Sequence, residues 1–167
     1  SGWLNPNHLP EVVVEALDKL KETTPEIAVF DTGIDDWHYY IRNIAQKGVN
    51  VAAFAEDEGT LQLEEDVPFD DNGHGSHIAG ILGAILDKAH SWGQEADVDL
   101  NSVKILGDDG MGYLYNIIYG LQWAIDNDIR IANMSIAYTQ DSPAVQRAVR
   151  EASKAGVIML VSVGNTS

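Results

Sequence analysis

Two short motifs contain residue types that could catalyse hydrolysis. Asp31 lies in Asp31-Thr-Gly33 after an apolar run, and His74 begins His74-Gly-Ser-His77-Ile-Ala-Gly80. A serine hydroxyl becomes a nucleophile only when a histidine takes its proton, and a buried aspartate orients that histidine and stabilises its charge. An amide side chain such as that of Asn165 could donate to the oxyanion that develops on the attacked carbonyl. The three residues therefore predict a serine hydrolase mechanism whose serine is still to be found.

Strand and helix patterns alternate along the chain and must position these residues. Short apolar runs predict strands at 26–30, 49–55, 98–106, 129–136 and 157–163, with a short helix or loop at 35–47 and an acidic surface loop at 56–71. Helical spacing predicts helices at 10–22, 75–87 and 113–126, and Ser142-Pro143 opens a fourth that ends at Gly156. Gly80 and Gly83 lie close together in the second helix, which predicts close packing against a neighbour. The alternation indicates one α/β domain, with a doubly wound, mostly parallel sheet and helices on both faces.

The predicted topology brings polar residues to one edge of the sheet. Asp31, Ser135 and Asn165 each follow a predicted strand, and His74 lies at the start of a helix at the same edge. Ligands of such sheets bind beyond the carboxyl ends of the strands. We therefore expect these four side chains on one rim.

Composition and charge exclude several classes of partner. The chain has 26 Asp and Glu against 10 Lys and Arg, a formal charge of −16 at pH 7, which repels nucleic acid and anionic membranes. No apolar run reaches the length of a membrane span, so we expect no nucleic-acid partner and no membrane. The absence of cysteine removes disulfides, thiolate zinc sites and cysteine nucleophiles. The acidic excess is typical of the solvated surface of a low-pI secreted or salt-adapted protein, with cation binding as the alternative.

From residue 26 onward the chain resembles the subtilisin-like serine proteases, the subtilase family. Asp31-Thr-Gly33 is similar to the family's aspartate motif, and His74-Gly-Ser-His77-Ile-Ala-Gly80 is similar to its histidine motif, in the family's order. Further similar blocks are Val103-Lys-Ile-Leu106, Gly110-Met111-Gly112, Trp123-Ala-Ile125, Asn133-Met-Ser135 and Gly164-Asn165. The resemblance implies that residues 1–167 are the amino-terminal portion of one subtilisin-like peptidase catalytic domain, with an incomplete fold. It also implies a serine endopeptidase in which Asp31, His74 and Asn165 are catalytic.

The same resemblance implies a substrate path and a structural ion. An extended stretch of a peptide or protein substrate would bind between the segments Gly110-Met111-Gly112 and Ser135-Ile136-Ala137. Ala137 stands where the family usually has a glycine, so we expect its methyl group to narrow a substrate subsite. Members often bind structural calcium on a loop that interrupts the helix after the histidine, and Asp87 is the candidate ligand, although residues 88–91 do not repeat the usual loop. The resemblance further implies a secreted, extracellular protein.

The nucleophile is missing from this pattern. In the family the serine lies well downstream of the asparagine, in a Gly-Thr-Ser context that these 167 residues lack. Ser167 follows Asn165 almost directly and Ser76 belongs to the histidine motif, so neither is a candidate. We expect the chain alone to be inactive and the serine to come from a complementary carboxy-terminal chain or segment, which would also cover the apolar strand at 157–163. The alternative is a non-catalytic module that binds peptides.

Two other enzyme classes stay open. Asp31-Thr-Gly33 is also the signature of aspartic proteases, in which two carboxylates share a proton, but those folds are nearly all β. His74 and His77 could bind a metal ion with Asp71, because residues three apart share a helix face. The surrounding similar blocks favour His74 as a base over both alternatives.

Overall fold

One parallel sheet positions the candidate site. The computed structural model describes residues 24–52, 66–91, 97–137 and 141–162, so the predicted helix at 10–22, residues 56–65 of the predicted acidic loop and Asn165 lie outside it. Within the described residues, five strands pair in parallel: β1 (Glu26–Asp31), β2 (Ala45–Asn50), β3 (Asp99–Lys104), β4 (Ile131–Met134) and β5 (Ile158–Val161). Their order across the sheet is β2-β3-β1-β4-β5. Because β3 and β4 flank β1 on opposite sides, the carboxyl end of β1 opens into the crevice where such sheets bind ligands.

Helices cover both faces of this sheet. The helices in the described part of the chain are α1 (His74–Ser91), α2 (Leu114–Asp126) and α3 (Pro143–Lys154). Ala28 and Phe30 of β1 belong to the core under α2 and α3, whereas Val29 belongs to the core under α1. Side chains alternate along a strand, so Asp31 lies on the α1 face, like Val29. This arrangement confirms the predicted doubly wound α/β fold, and none of the described helices combines the length and apolarity that a membrane crossing requires.

Helix α1 lies directly on the segment that follows β1. A Cβ atom on Gly83 would overlap the carbonyl oxygen of Tyr40, which confirms the predicted close packing at Gly83. Gly80 has more room, because the nearest atom to a Cβ there is Cε1 of His38 at 3.8 Å, an ordinary contact. The prediction of close packing was therefore wrong for Gly80.

The bounds of β2 differ from the prediction. The strand begins at Ala45, opposite Leu100 of β3, rather than at residue 49. Main-chain pairing with β3 defines it, and the hydrophobic pattern does not report that pairing. At its other end, Oδ1 of Asn50 accepts from the amide of Ala52 at 3.1 Å and turns the chain out of the strand. The predicted strand at 49–55 therefore begins too late, and its residues 53–55 lie outside the described ranges.

Helix α3 has the predicted ends, whereas β5 has different surroundings. Oγ of Ser142 accepts from the amide of Val145 at 3.4 Å, and Gly156 ends the helix with a φ of 96°. β5 was expected inside the sheet, yet among the described residues it pairs with β4 alone and forms an edge. Its exposed large side chains are Ile158, Leu160 and Val161.

Candidate active site

The carboxylate of Asp31 is buried at the carboxyl end of β1. The residue is 0% exposed, and β3 and β4 lie on either side of its strand. The amide of Thr32 donates to its Oδ1 at 2.8 Å. A buried carboxylate needs such donors, because water no longer supplies them.

His74 is the first residue of α1, and its ring faces Asp31. Nδ1 lies 2.8 Å from Oδ1 and 2.9 Å from Oδ2 of the aspartate. When the carboxylate is ionised it only accepts hydrogen bonds, so Nδ1 then carries the proton and Nε2 of a neutral ring keeps its lone pair. The side chain of His74 is 49% exposed, against 0% for Asp31. The pair therefore has a buried orienting end and an open end that can take up a proton.

Two glycines allow close contacts between backbone segments around the start of α1. A Cβ atom on Gly75 would overlap the carbonyl oxygen of Gly33. Gly33 has a φ of 108°, and a Cβ there would lie 2.5 Å from the carbonyl oxygen of Phe69. A side chain at either position would push the two backbones apart. Gly75 thus allows the first turn of α1 to lie against the loop after Asp31, and Gly33 allows that loop to lie against Phe69.

The amides at the start of α1 all have acceptors. Helices leave their first four amides without intrahelical partners, so these groups report how the helix is anchored. The four pairs are His74 with Oδ1 of Asn72 at 3.2 Å, Gly75 with Oγ1 of Thr32 at 3.0 Å, Ser76 with Oδ2 of Asp70 at 2.8 Å, and His77 with the carbonyl of Gly73 at 3.0 Å. The helix start is therefore tied both to its own loop and to the end of β1.

Asp70 accepts hydrogen bonds from four neighbouring residues of the described structure. Its Oδ1 accepts from the hydroxyl of Thr32 and from the amides of Asn72 and Gly73, and its Oδ2 accepts from the amide and hydroxyl of Ser76. Burial alone would raise the pKa of Asp70, but the hydrogen bonds from Ser76, Gly73 and Thr32 outweigh burial and lower the pKa from 3.8 to about 2. The carboxylate thus stays ionised at neutral and mildly acidic pH.

Lys104 connects the sheet to the same loop. Its side chain is 6% exposed, and its Nζ donates to the carbonyl oxygen of Thr32 and to Oδ1 of Asp71, the latter at 2.6 Å. In the pairing of β1 with β3, Lys104 lies opposite Asp31. A buried ammonium must be paired. Lys104 therefore fixes the loop that precedes His74 to the end of β1.

The two segments predicted to bind substrate line a common cleft beside His74. Gly110-Met111-Gly112 and the Ile136-Ala137 part of the second segment line a cavity of about 460 Å³. An adjoining cavity of about 380 Å³ is lined by His74, Thr32 and Asn72, and also by Gly110 and all of Ser135-Ile136-Ala137. The structure thus brings both segments and the open side of the imidazole to one place.

Two further residues from the sequence prediction, Asn165 and Asp87, are not part of this cleft as described. Asn165 lies outside the described ranges, so its role as an oxyanion donor stays a prediction. Asp87 is exposed on α1, which runs without a break from His74 to Ser91, so no loop interrupts the helix there. Among the residues that the structure describes, no group of three or more His, Cys, Asp or Glu side chains could hold a metal ion. These surroundings do not fit a calcium site at Asp87, and calcium there stays a prediction from the resemblance.

The geometry gives no support to the two other enzyme classes. Asp31 pairs with an imidazole, whereas an aspartic protease would pair it with a second carboxylate. Asp71 pairs with Lys104, so its carboxylate is not directed to a metal ion shared with His74 and His77.

Sequence reasoning does not find three residues of this site, namely Thr32, Asp70 and Lys104. Asp70 carries a usable signal, because a carboxylate in the few residues before a predicted helix can accept from the free amides of its first turn. Lys104 carries another, because a lysine inside a predicted buried strand must find a partner for its charge. Neither signal identifies the partner, which is Thr32 in both cases. Thr32 lies 38 positions from Asp70 and 72 positions from Lys104 in the sequence.

Comparisons with known proteins identify the family of this chain. A family model described as the subtilase family matches residues 22–167. The major intracellular serine protease of Bacillus subtilis is 34% identical over 166 residues, which cover 95% of this chain and 50% of that protein. The alkaline elastase YaB of a Bacillus species is 35% identical over 144 residues, which cover 86% of this chain and 35% of that protein. A cold adapted subtilisin-like serine proteinase of known structure aligns with a TM-score of 0.62 and 27% identity, over 83% of this chain and 46% of that one.

The similarity extends from the motifs to the fold. The chain spans half or less of the length of the two curated relatives, and less than half of the solved structure. The family match covers both motifs and all of the described strands and helices. The parallel α/β sheet is subtilisin-like. The chain belongs to the subtilase family of serine proteases.

Proposed function

We propose that this chain supplies the aspartate and histidine of a serine endopeptidase, and that a segment outside these residues supplies the serine. The observation that carries the proposal is the pairing of Nδ1 of His74 with the buried carboxylate of Asp31 at 2.8 Å. The other side of the same ring borders the open cleft. This is the arrangement that a general base needs, with one ring nitrogen oriented and the other available to a nucleophile.

The reaction follows from these positions. Oγ of the serine attacks the carbonyl carbon of a peptide bond while its proton passes to Nε2 of His74. Asp31 stabilises the imidazolium without taking its proton. The carbon–nitrogen bond then breaks, and His74 returns the proton to the leaving amine. Water attacks the resulting ester and gives a proton to Nε2 of His74. The bond between the carbonyl carbon and Oγ then breaks, His74 returns the proton to Oγ, and the acid product leaves.

We assign Asn165 the role of donor to the oxyanion. The residue comes four positions after β5 ends at Val161. All described strands run parallel, so the carboxyl end of β5 lies at the same edge of the sheet as that of β1. An amide near this edge could donate to charge that develops on the carbonyl oxygen in the transition state.

The substrate would lie between the two segments that line the cleft. Their backbones can pair with an extended peptide in the way that a strand is added to a sheet. Ala137 lines both cavities, so its methyl group takes space from both. We expect this methyl group to favour small substrate side chains at the position that faces it.

The serine-bearing segment would also cover an apolar groove of about 360 Å³ between α1 and the sheet. The aliphatic side chains that line the groove are Ile27, Val29, Ile78, Ile81, Leu82, Ile85, Ile131 and Leu160. Ile81, Ile85 and Leu160 are each about half exposed or more among the described residues. Burying such surface contributes about 25 cal/mol per Å². The groove therefore supports the proposal that a complementary apolar segment packs beside α1.

The compartment remains a prediction. The sequence resemblance implies a secreted, extracellular protein, but one relative is by its name an intracellular serine protease. Family membership therefore does not decide the compartment.

Matched histidine variants test the proposed function. His77 lies three positions after His74 on the same helix and is exposed, so His77→Ala is the control for His74→Ala. In the complete protein, His74→Ala should reduce peptide hydrolysis by several powers of ten, because triad members act as a unit. His77→Ala should leave hydrolysis within about twofold of the parent. Equal activity in both variants would contradict the role of His74, and peptide binding without any turnover in the parent would favour the non-catalytic module.

A further inference from the structure

Hydrogen bonds connect the two motif loops through Asp70 and Thr32. Oγ1 of Thr32, the residue after the catalytic aspartate, donates to Oδ1 of Asp70 at 2.8 Å and accepts from the amide of Gly75 at 3.0 Å. Oδ2 of Asp70 accepts from the amide of Ser76 at 2.8 Å and from its hydroxyl at 2.6 Å. Gly75 and Ser76 directly follow the catalytic histidine. A continuous set of hydrogen bonds therefore joins the end of β1 to the first turn of α1.

The exposed ring of His74 makes this connection important. Because its side chain is 49% exposed, surrounding side chains enclose only part of the imidazole. The position of the ring then depends strongly on the backbone to which it is attached. That backbone is the first turn of α1, whose amides bind Thr32 and Asp70.

We propose that Asp70 is a positioning residue for His74, which holds the first turn of α1 at the end of β1 and so keeps the imidazole on Asp31. The inference rests on the proposed function for the catalytic consequence, although not for the contacts themselves. Asp70 contacts neither of the two catalytic side chains in the described structure and acts through Thr32 and Ser76.

A carboxylate suits this role better than an amide. All the groups that converge on Asp70 are donors, and both of its oxygens are needed to accept them. An asparagine offers one oxygen and would turn an NH₂ group toward at least one donor. The negative charge is also favourable at the amino terminus of a helix. The pKa of about 2 keeps this charge in place at every pH at which a histidine can act as a base.

The test compares Asp70→Asn with a chemically matched control in the complete protein. Asp126→Asn makes the same change at an exposed carboxylate that accepts from Gln122 on α2. Asp70→Asn should lower kcat about tenfold with KM unchanged. A tenfold loss corresponds to about 1.4 kcal/mol of activation free energy, which is within the range of the free energy that a helix loses with its cap. Thr32→Val should act in the same direction, and Thr32→Ser, which keeps the hydroxyl, should restore the parent kcat.

A second readout does not depend on activity. In protein labelled with ¹⁵N-histidine, the Nδ1 proton of His74 should be protected from exchange with water by its bond to Asp31. In Asp70→Asn the proton should exchange about ten times faster, and in Asp126→Asn its rate should not change. Thermal unfolding identifies variants that do not fold, and Thr32→Val then carries the comparison if Asp70→Asn is one of them.

The outcomes separate the two proposals. Folded Asp70→Asn and Thr32→Val proteins that keep the parent kcat and a protected Nδ1 proton would overturn the positioning role. So would a variant whose melting temperature falls while the proton stays protected, since that result describes an ordinary helix cap. If His74→Ala keeps its turnover, the proposed function fails instead, and proton exchange still decides the role of Asp70.

Discussion

Replacing Asp31 by asparagine tests how the buried carboxylate assists His74. In the parent protein, both carboxylate oxygens lie within 2.9 Å of Nδ1. The variant keeps the shape of the side chain but removes its charge and introduces an NH₂ group. An NH₂ group beside Nδ1 favours the tautomer that carries its proton on Nε2. A ring in that tautomer cannot take a proton from serine.

The magnitude follows from the distance. An imidazolium charge about 4 Å from the carboxylate, at an effective dielectric constant of about 20, is stabilised by about 4 kcal/mol. Because about 1.4 kcal/mol corresponds to a factor of ten, the lost charge alone should lower kcat about a thousandfold. The unfavourable tautomer should extend the loss to about ten-thousandfold. KM should change little, because Asp31 is 0% exposed and borders neither cavity of the cleft.

The assay is the hydrolysis of a chromogenic peptide by the complete protein and its Asp31→Asn variant, with thermal unfolding as the check on folding. A loss of kcat between about a thousandfold and ten-thousandfold is the expected result. A folded variant with kcat within tenfold of the parent would refute the charge argument. A rise in KM at unchanged kcat would show that Asp31 serves substrate binding instead.

Three further predictions concern the contacts around this pair. Because the pKa of Asp70 is lowered from 3.8 to about 2, its stabilising contribution is complete above about pH 4 and is lost as the pH falls toward 2. Urea titrations should show the stability gap between the parent and Asp70→Asn shrinking over that interval by at most about 2 kcal/mol, and a constant gap would contradict this. Lys104→Met removes the Nζ donor from the carbonyl oxygen of Thr32, whereas the half-exposed carboxylate of Asp71 can bind water instead. Urea titrations should therefore show that the free energy of unfolding falls by about 2 kcal/mol; a rise would contradict this contact. Gly75→Ala should lower the free energy of unfolding by about 2 kcal/mol or more, because the new Cβ would overlap the carbonyl oxygen of Gly33. Gly80→Ala has room for the methyl group and should leave the free energy of unfolding unchanged or raise it, so equal effects of the two substitutions would contradict the contact at Gly75.

The pairing of Asp31 with His74 could be predicted because each motif indicates both the residue and its position at the end of a strand or the start of a helix. An apolar run before Asp31 predicts a buried strand that ends at the aspartate, and the structure has β1 ending there. The residues after His74 predict a helix, and α1 begins at the histidine itself. In a parallel sheet, strand ends and helix starts meet at one edge, so sequence order alone brings the two side chains near each other.

Other features depend on contacts that a local pattern does not contain. The start of β2 at Ala45 is defined by pairing with β3, and the residues that pair there are partly polar. The contact of Asp70 with Thr32 joins residues 38 positions apart. The unbroken course of α1 through Asp87 depends on the chain's own helical preference, which prevails over the loop expected from the resemblance. Each difference arises where pairing or hydrogen bonding, rather than hydrophobic spacing, determines the structure.

Covalent labelling of the complete protein with a fluorophosphonate, followed by mapping of the labelled peptide by mass spectrometry, would identify the nucleophile and show whether His74 activates it. We expect a single labelled serine outside residues 1–167, and we expect His74→Ala to abolish the labelling while His77→Ala does not. A label on a serine within these residues would contradict the proposed source of the nucleophile, as would undiminished labelling of the His74→Ala variant.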